Sequence, residues 1–375
     1  MLYTHFTEEI LGLQGVKVTN IESNTKTLTI YASMERQEHF CIACGSATNT
    51  IHDYRTQTIK DIPAFGKTVT IVLRKRRYRC PHCGKRFFEN NSFLPKYHRM
   101  TCRLAAFIID KLRNERSFTS VSREVNLSVS TVIRIFDIVS YPKATLSSAL
   151  AIDEFKGNTH GEKYQCILTD PEKKVVLDIL PMRYGHYLSK YFKEFSAADR
   201  SQVKYFVSDM WKPYSEISSV WFKNATQIVD KYHWIRQVIW AFERVRKEEQ
   251  KLPVRVMLDC SVNLSRAHWY KEKFLQILDS KDLDVARSAM AEWIQTATHC
   301  DVSHMQKCAQ TMQNWYSGIM NSFSSPLTNG FTEGCNNKIK VLKRNAYGYK
   351  NFNRFRNRIL HIFSHQSLRN KQAVA

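Results

Sequence analysis

Three carboxylates in this sequence sit where divalent-metal chemistry would need them. In "ALAID" and "YFVSD" an apolar run ends on Asp153 and on Asp209. A carboxylate at the point where a buried strand meets solvent is costly without a cation, and the carboxyl edge of a sheet is where ligands collect. Glu333 is the lone acid of "LTNGFTEGCNNKIKVLKRNAYGY", ahead of Lys338, Lys340, Lys343 and Arg344. Read as a helix, this stretch puts Asn337, Lys340 and Arg344 on the stripe led by Glu333, and Cys335, Ile339, Leu342 and Ala346 on an apolar stripe that docks. Two strand-end aspartates and a helical glutamate suit two Mg²⁺ ions, with Mn²⁺ as an alternative, because hard cations take oxygen ligands and keep positions open for substrate phosphate. Such ions, about 3.5–4 Å apart, stabilise the attacking and leaving oxygens of an in-line displacement. Spacing alone leaves rivals: Asp170, Asp178, Asp199 and Asp230 fit the same bare pattern. Trp211 and His233, neighbours of the acids in sequence, read as core or supporting groups.

A second constellation lies near the start. Cys41-Ile-Ala-Cys44-Gly and Cys80-Pro-His-Cys83-Gly form two knuckles that suit one tetrahedral structural zinc ion, each glycine allowing the turn that aims N–H groups at sulfur. Two predicted strands fill the gap as a hairpin. His52 and His82 are nearby alternates that read as solvated. Leading into the second knuckle, "RKRRYR" puts Arg74 and Arg76 on one face with Tyr78, and Lys75, Arg77 and Arg79 on the other. No core is expected to accept either face, so this strand is assigned to phosphate contact.

The elements that position these groups follow from periodicity. Residues 1 to about 90 alternate as strands: "KVTNIE", "TKTLTIYAS", "RTQTIKDI" and "KTVTIVLRKRRYRC". From about 100 to 140 the pattern is helical. There Val121, Val125 and Leu127 pack on Val132 and Phe136 around a turn at Asn126 and Ser128, a helix-turn-helix with Ser130, Thr131 and Arg134 toward a DNA groove. From 148 to 230 the order is three strands, then helix, strand, helix, strand, an α/β layer. Residues 232 to 320 read as helical, in an aromatic-rich half that holds all seven tryptophans.

Composition narrows the partners. A formal net charge of +22 and a pI near 9.6 attract polyanions. No apolar run approaches a spanning helix, and acids stand where a signal peptide would be uncharged. The expectation is a cytosolic nucleic-acid protein, DNA or RNA being its partner, with membrane the weakest candidate.

"IDEF", "SDMWKPY", "DKYHW" and "NGFTEGCNNKIKVLKRNAYGYKNFNRFRNRIL" resemble the signature blocks of DDE transposases of bacterial insertion sequences, with the ISL-three family as the nearest group. Tyr232 and Trp234 stand where phenylalanine and an aliphatic residue are more usual. The resemblance implies a ribonuclease-H-like catalytic core with a helical insertion, preceded by a β-rich zinc-binding domain and a helix-turn-helix. The expected divisions are a zinc-binding domain at 1–95, helix-turn-helix at 96–145, first core part at 146–235, insertion at 236–325, and core C-terminal helices at 326–375. It implies Asp153, Asp209 and Glu333 as the metal-binding triad, with Lys340, Lys343 and Arg344 holding DNA. It implies element-end cleavage and strand transfer between terminal inverted repeats and target DNA, by a homodimer or larger assembly, cytoplasmic and nucleoid-associated with no membrane partner. The competing expectations are a DNA-binding regulator with a silent core and a stand-alone nuclease of the same fold.

Overall fold

The computed structural model describes residues 11–13, 15–159, 161–249 and 261–372, with side chains to 364. The chain divides into two units, Met1–Ser140 and Tyr141–Ala375.

The first unit is built on a sheet of β1 (Val16–Ser23), β2 (Thr27–Met34), β5 (Ile51–Ala64), β6 (Lys67–Arg79) and β7 (Arg86–Phe88), with β3 (His39–Phe40) and β4 (Ala47–Thr48) as a small separate pair. The order is β1-β2-β6-β5, with β7 paired to β6; β2 and β6 run parallel, while β5 and β6 form a long antiparallel hairpin. Val69, Ile71 and Leu73, at period two on β6, turn inward with Ile30 and Ile59 to form the core. The basic run corrects an expectation: the opposite face of the strand meets a second, smaller core, where Tyr78 is fully buried against Phe87 and the knuckle cysteines Cys41 and Cys80. Three short helices follow: α1 (Cys102–Lys111), α2 (Phe118–Glu124) and α3 (Val129–Phe136). Each begins at a hydroxyl cap, with Thr101, Ser117 and Ser128 accepting from the N–H three residues on. Val121, Val125, Val132 and Phe136 are buried between them.

The second unit opens with a meander of β8 (Ala149–Thr159), β9 (Glu162–Asp170) and β10 (Val175–Leu180). After α4 (Gly185–Lys193) and α5 (Ala197–Ser201) the chain returns as β11 (Tyr205–Ser208), parallel to β8; after α6 (Lys212–Trp221) it lays β12 (Thr226–Val229) parallel to β11. The sheet order is β10-β9-β8-β11-β12. One face, with Leu150, Ile152, Leu168 and Phe206, is covered by Leu188 and Phe192 of α4 and by Tyr214 and Ile217 of α6. On the other, Ala151, Val207 and Ile228 pack with Leu327. A helical bundle follows, of α7 (Lys231–Glu248), α8 (Val262–Leu278), α9 (Leu283–Thr298), α10 (Ser303–Asn314) and α11 (Tyr316–Ser324), with Trp234, Phe274, Met290, Trp293 and Met305 in its core. Gly318 is where α11 passes against β12, since a Cβ there would lie 2.6 Å from Val229 Cγ2. The chain then re-crosses the sheet as α12 (Gly330–Ala346) and closes with α13 (Phe352–Gln372), which packs on β10.

Candidate active site

Strand register brings the aspartates together. Val207 pairs with Ala151 and Ser208 with Val229. Continuing each register by one or two residues places Asp209 opposite both Asp153 and Asp230, and the ladder does continue, with the Asp230 N–H donating to the Ser208 carbonyl at 3.0 Å. Neighbouring strands lie about 4.8 Å apart, and paired positions point to one face. All three carboxylates therefore share the face of Ala151, Val207 and Ile228. Asp153 differs from its expected place in one respect: β8 runs six residues beyond it. The apolar run stops at Asp153 because β11, only four residues long, has ended and left the flank of β8 open.

Helix α12 lies across this row. The Asn329 N–H donates to Asp230 Oδ1 at 2.9 Å, and its side-chain amide reaches the Ile152 carbonyl at 3.4 Å. The Thr332 and Thr169 hydroxyls meet at 2.7 Å, and Asn336 Nδ2 donates to Asp153 Oδ2 at 2.9 Å. Glu333 stands between the two asparagines, four residues after one and three before the other, on one stripe of the helix. Its side chain is exposed. Among the described residues it does not join Asp153 and Asp209 in a set of ligand atoms within 4.8 Å of one another; the four zinc-knuckle cysteines are the group that does. The helix is turned by about one residue from the expected setting. Asn336 faces the acids, whereas Asn337, Lys340 and Arg344 point to solvent. Lys343 donates to the Lys156 carbonyl of β8.

Electrostatics mark the row as short of positive charge. Burial pushes the Asp153 carboxyl up to about 7, helped by the charges of Glu154, Asp209 and Asp230 and opposed by the Glu154 N–H on its Oδ1. Burial and the Glu154 charge push Asp209 up to about 6, against His233, the Trp211 N–H and Arg183. Glu154 is held aside by Arg183 at 2.8 Å and the Tyr214 hydroxyl at 3.1 Å.

Of the rival acids, Asp170 caps the turn at Glu172 and Lys173, Asp178 binds Arg356 and Tyr191, and Asp199 closes a capping box with Ser196. Asp230 alone of the four joins the row. The sequence signal for it was its place at the end of "TQIVD", matching the other two. Asn329 and Asn336 gave no such signal, since an asparagine on a helix declares no role until its partner is known.

In the first unit Cys41 and Cys83 approach at 3.5 Å, as do Cys44 and Cys80, and all four sulfurs lie within 4.8 Å of one another. The two knuckles are copies: Gly45 and Gly84, both at positive φ, return their N–H groups to the carbonyls of Cys41 and Cys80. Four thiolate donors at this separation fit a structural zinc ion; His52 and His82 are solvated. The basic strand divides. Arg76 is committed to the buried Glu89 at 3.1 Å and to the Met34 carbonyl. Arg77 pairs with Asp53 at 3.5 Å, and Lys75 reaches Gln57. Arg74, stacked on Tyr54, and Arg79 remain exposed. On α3, Ser130 and Arg134 are exposed, while the Thr131 hydroxyl bonds that of the Ser128 cap.

Comparison with known proteins covers the same ground. The model of the ISL3 DDE transposases, described as "Transposase", matches residues 150–255 and 249–359. The zinc-finger of transposase IS204/IS1001/IS1096/IS1165 matches 37–83, and the helix-turn-helix domain of transposase family ISL3 matches 89–137. The transposase for insertion sequence element IS1001 of Bordetella parapertussis is 26% identical over 93% of this chain and 96% of its own length. A protein described as an ATP-dependent protease from Lactococcus lactis subsp. lactis is 44% identical over 55 residues, 15% of this chain and 18% of its own, too short a stretch to bear on function. Among the described residues no helix is long and apolar enough to cross a membrane.

Proposed function

The chain belongs to the ISL3 family of transposases, and we propose that Asp153, Asp209 and Glu333 are its catalytic carboxylates, set in a ribonuclease-H-like core that cuts element ends and joins them to target DNA. Its family makes it a DNA-binding, DNA-processing protein with a zinc ribbon and a helix-turn-helix. The observation behind the finer reading is the register that sets Asp209 beside Asp153 while Asn329 and Asn336 lay the helix of Glu333 over both.

The donor set fits divalent cations. Two carboxylates pushed up to about 7 and about 6 by burial and by neighbouring carboxylate charge, Glu154 foremost, are groups that a cation would return to their ionised form. Asp153, Asp209 and Glu333 would hold two Mg²⁺, which when bound supply the charge that activates a hydroxyl and stabilises a leaving oxygen. The protein's own part is to hold these groups still. The Asn336 amide and the Glu154 N–H fix both oxygens of Asp153, and the Trp211 N–H fixes one of Asp209. Asp230 secures the start of α12, and Arg183 keeps Glu154 turned away from the row. In the first reaction, water attacks a phosphodiester at the element end and the 3′ oxygen leaves, giving a free 3′-hydroxyl and a 5′-phosphate. In the second, that 3′-hydroxyl attacks a target phosphodiester, displacing its 3′ oxygen. No covalent enzyme intermediate is needed.

The test uses labelled element-end DNA, a target plasmid and Mg²⁺. Cut ends joined to plasmid are expected, and neither cutting nor joining with Asp153→Asn, Asp209→Asn or Glu333→Gln, all three still binding DNA. Binding without cutting by the wild type would mark a regulator. Cutting without joining would mark a nuclease.

A further inference from the structure

Helix α7 leaves the carboxylate row carrying a stripe that neither the core nor the catalytic reading uses. Its first residue follows Asp230, and the His233 charge eases Asp209, so the first turn lies beside the row. From there Tyr232, Arg236, Trp240 and Arg244 follow at four-residue steps, aromatic and guanidinium in alternation. The rungs are about 6 Å apart. Tyr232 and Trp240 are 52% and 40% exposed, and Ile239 beside them 41%. The Arg236 guanidinium lies between the two rings, 5.4 Å from the Tyr232 centroid and 4.1 Å from that of Trp240. Glu243, the one acid in this stretch, is taken up by Arg246 at 2.7 Å, so the stripe keeps its positive sign.

We propose that this stripe binds an unpaired DNA strand leading from the carboxylate row, its bases stacking on Tyr232 and Trp240 and its phosphates meeting Arg236 and Arg244. A duplex keeps its base faces to itself and would use only the arginines. Rings held in the open between cations match a strand that shows both faces and phosphates. The contact between Arg236 and its two rings holds the platform in place before the strand arrives. This inference rests on the catalytic reading for its direction, since cutting beside the row is what would produce or admit the unpaired strand.

The experiment separates binding from cutting by using full-length, zinc-loaded Asp153→Asn protein in buffer free of Mg²⁺. The probe is a fluorescent oligothymidine of about a dozen nucleotides, within the span such sites cover, with a mixed-sequence duplex for comparison. Both rings are exposed, so unchanged circular dichroism is expected for each variant. Tyr232→Ala and Trp240→Ala are expected to weaken oligothymidine binding about tenfold each and leave duplex binding within about twofold. Trp240→Phe should restore binding and Trp240→Leu should not. Arg236→Ala should lower the salt slope by about 0.7 for each phosphate left without its cation. Unchanged oligothymidine affinity in both alanine variants would overturn the proposal. So would Leu serving as well as Phe, or a loss of self-association in light scattering with strand binding intact, each of which marks a protein-docking surface. If Asp153→Asn still cut DNA in the companion cleavage assay, the catalytic assignment would fail while the strand-binding result stood.

Discussion

Asp153→Asn should make the metal-free protein more stable while abolishing its chemistry. The Asp153 carboxyl is raised from 3.8 to about 7 in the folded chain, chiefly by burial. The sign follows from proton counts. Between about pH 4 and pH 7 the folded state keeps a proton that the unfolded state has lost, so stability falls as pH rises through that window and stays low above it. At about 1.4 kcal/mol per pH unit, the ceiling at pH 8 is roughly 4 kcal/mol. Two facts reduce it. Glu154, Asp209 and Asp230 share in the repulsion, and an asparagine exchanges one hydrogen bond. Asn336 Nδ2 now donates to Asp153, so the new amide would face a donor until Asn336 turns its oxygen inward; that oxygen is buried without a partner at present. The turn gives up a 3.4 Å bond to the Glu154 carbonyl, costing about 1 kcal/mol.

The expected net gain is about 2 kcal/mol at pH 8, worth roughly 4–8 °C in a domain of this size. The assay is calorimetry of wild type and variant in buffer free of Mg²⁺ and of chelator at pH 5 and pH 8, followed by Mg²⁺ titration. The variant should melt higher at pH 8, with the gap shrinking at pH 5. Added Mg²⁺ should raise the wild-type transition by mass action and leave the variant nearly still. A variant that melts no higher at pH 8, or a gap independent of pH, would refute the view of Asp153 as a carboxylate held at a cost for a cation.

Three further outcomes follow from the same geometry. Asp230→Asn keeps an oxygen for the Asn329 N–H and should retain most cleavage activity. Asp230→Ala orphans that buried donor, so it should lose about 1–3 kcal/mol and weaken the Mg²⁺-dependent thermal shift; equal effects from both variants would assign Asp230 to metal binding. Stripping zinc with a chelator, or Cys80→Ser, should raise amide exchange around residues 37–90 and leave Tyr141–Ala375 protected. Arg76→Ala should destabilise the first unit by about 3 kcal/mol or more, since Glu89 is left buried and unpaired, whereas Arg74→Ala should leave the melting temperature unchanged and reduce the salt slope of DNA binding by about 0.9 if it meets one phosphate.

How much of this was legible in the sequence depends on whether a residue's role is set locally. The knuckle cysteines, the helix start at Ser128 and the alternation of β5 and β6 were plain because each is fixed by neighbours a few positions away. The order of strands and helices from 148 to 230 was readable for the same reason, since apolar runs of strand length alternate with helical period. What the pattern could not give was which partner a polar residue finds across the fold. "RKRRYR" looked like one charged surface, yet Tyr78 is core and Arg76 belongs to Glu89, more than ten residues downstream. Asp153 looked like a strand end because apolarity stops there, but what stops is the neighbouring strand, not β8. On α12 a helical wheel found the docking stripe through Cys335, Ile339 and Leu342, and still missed by one position the side of the helix that meets the acids. That position decides the site. Asn329 and Asn336 bracket Glu333 on the helix and reach Asp230 and Asp153 on the sheet, so under the catalytic reading we propose the glutamate would be aimed by its neighbours' hydrogen bonds and would need no contact of its own until a cation drew it in. A lone acid in a basic helix can remain exposed and still belong to a site, provided the helix beneath it is tied down at both ends.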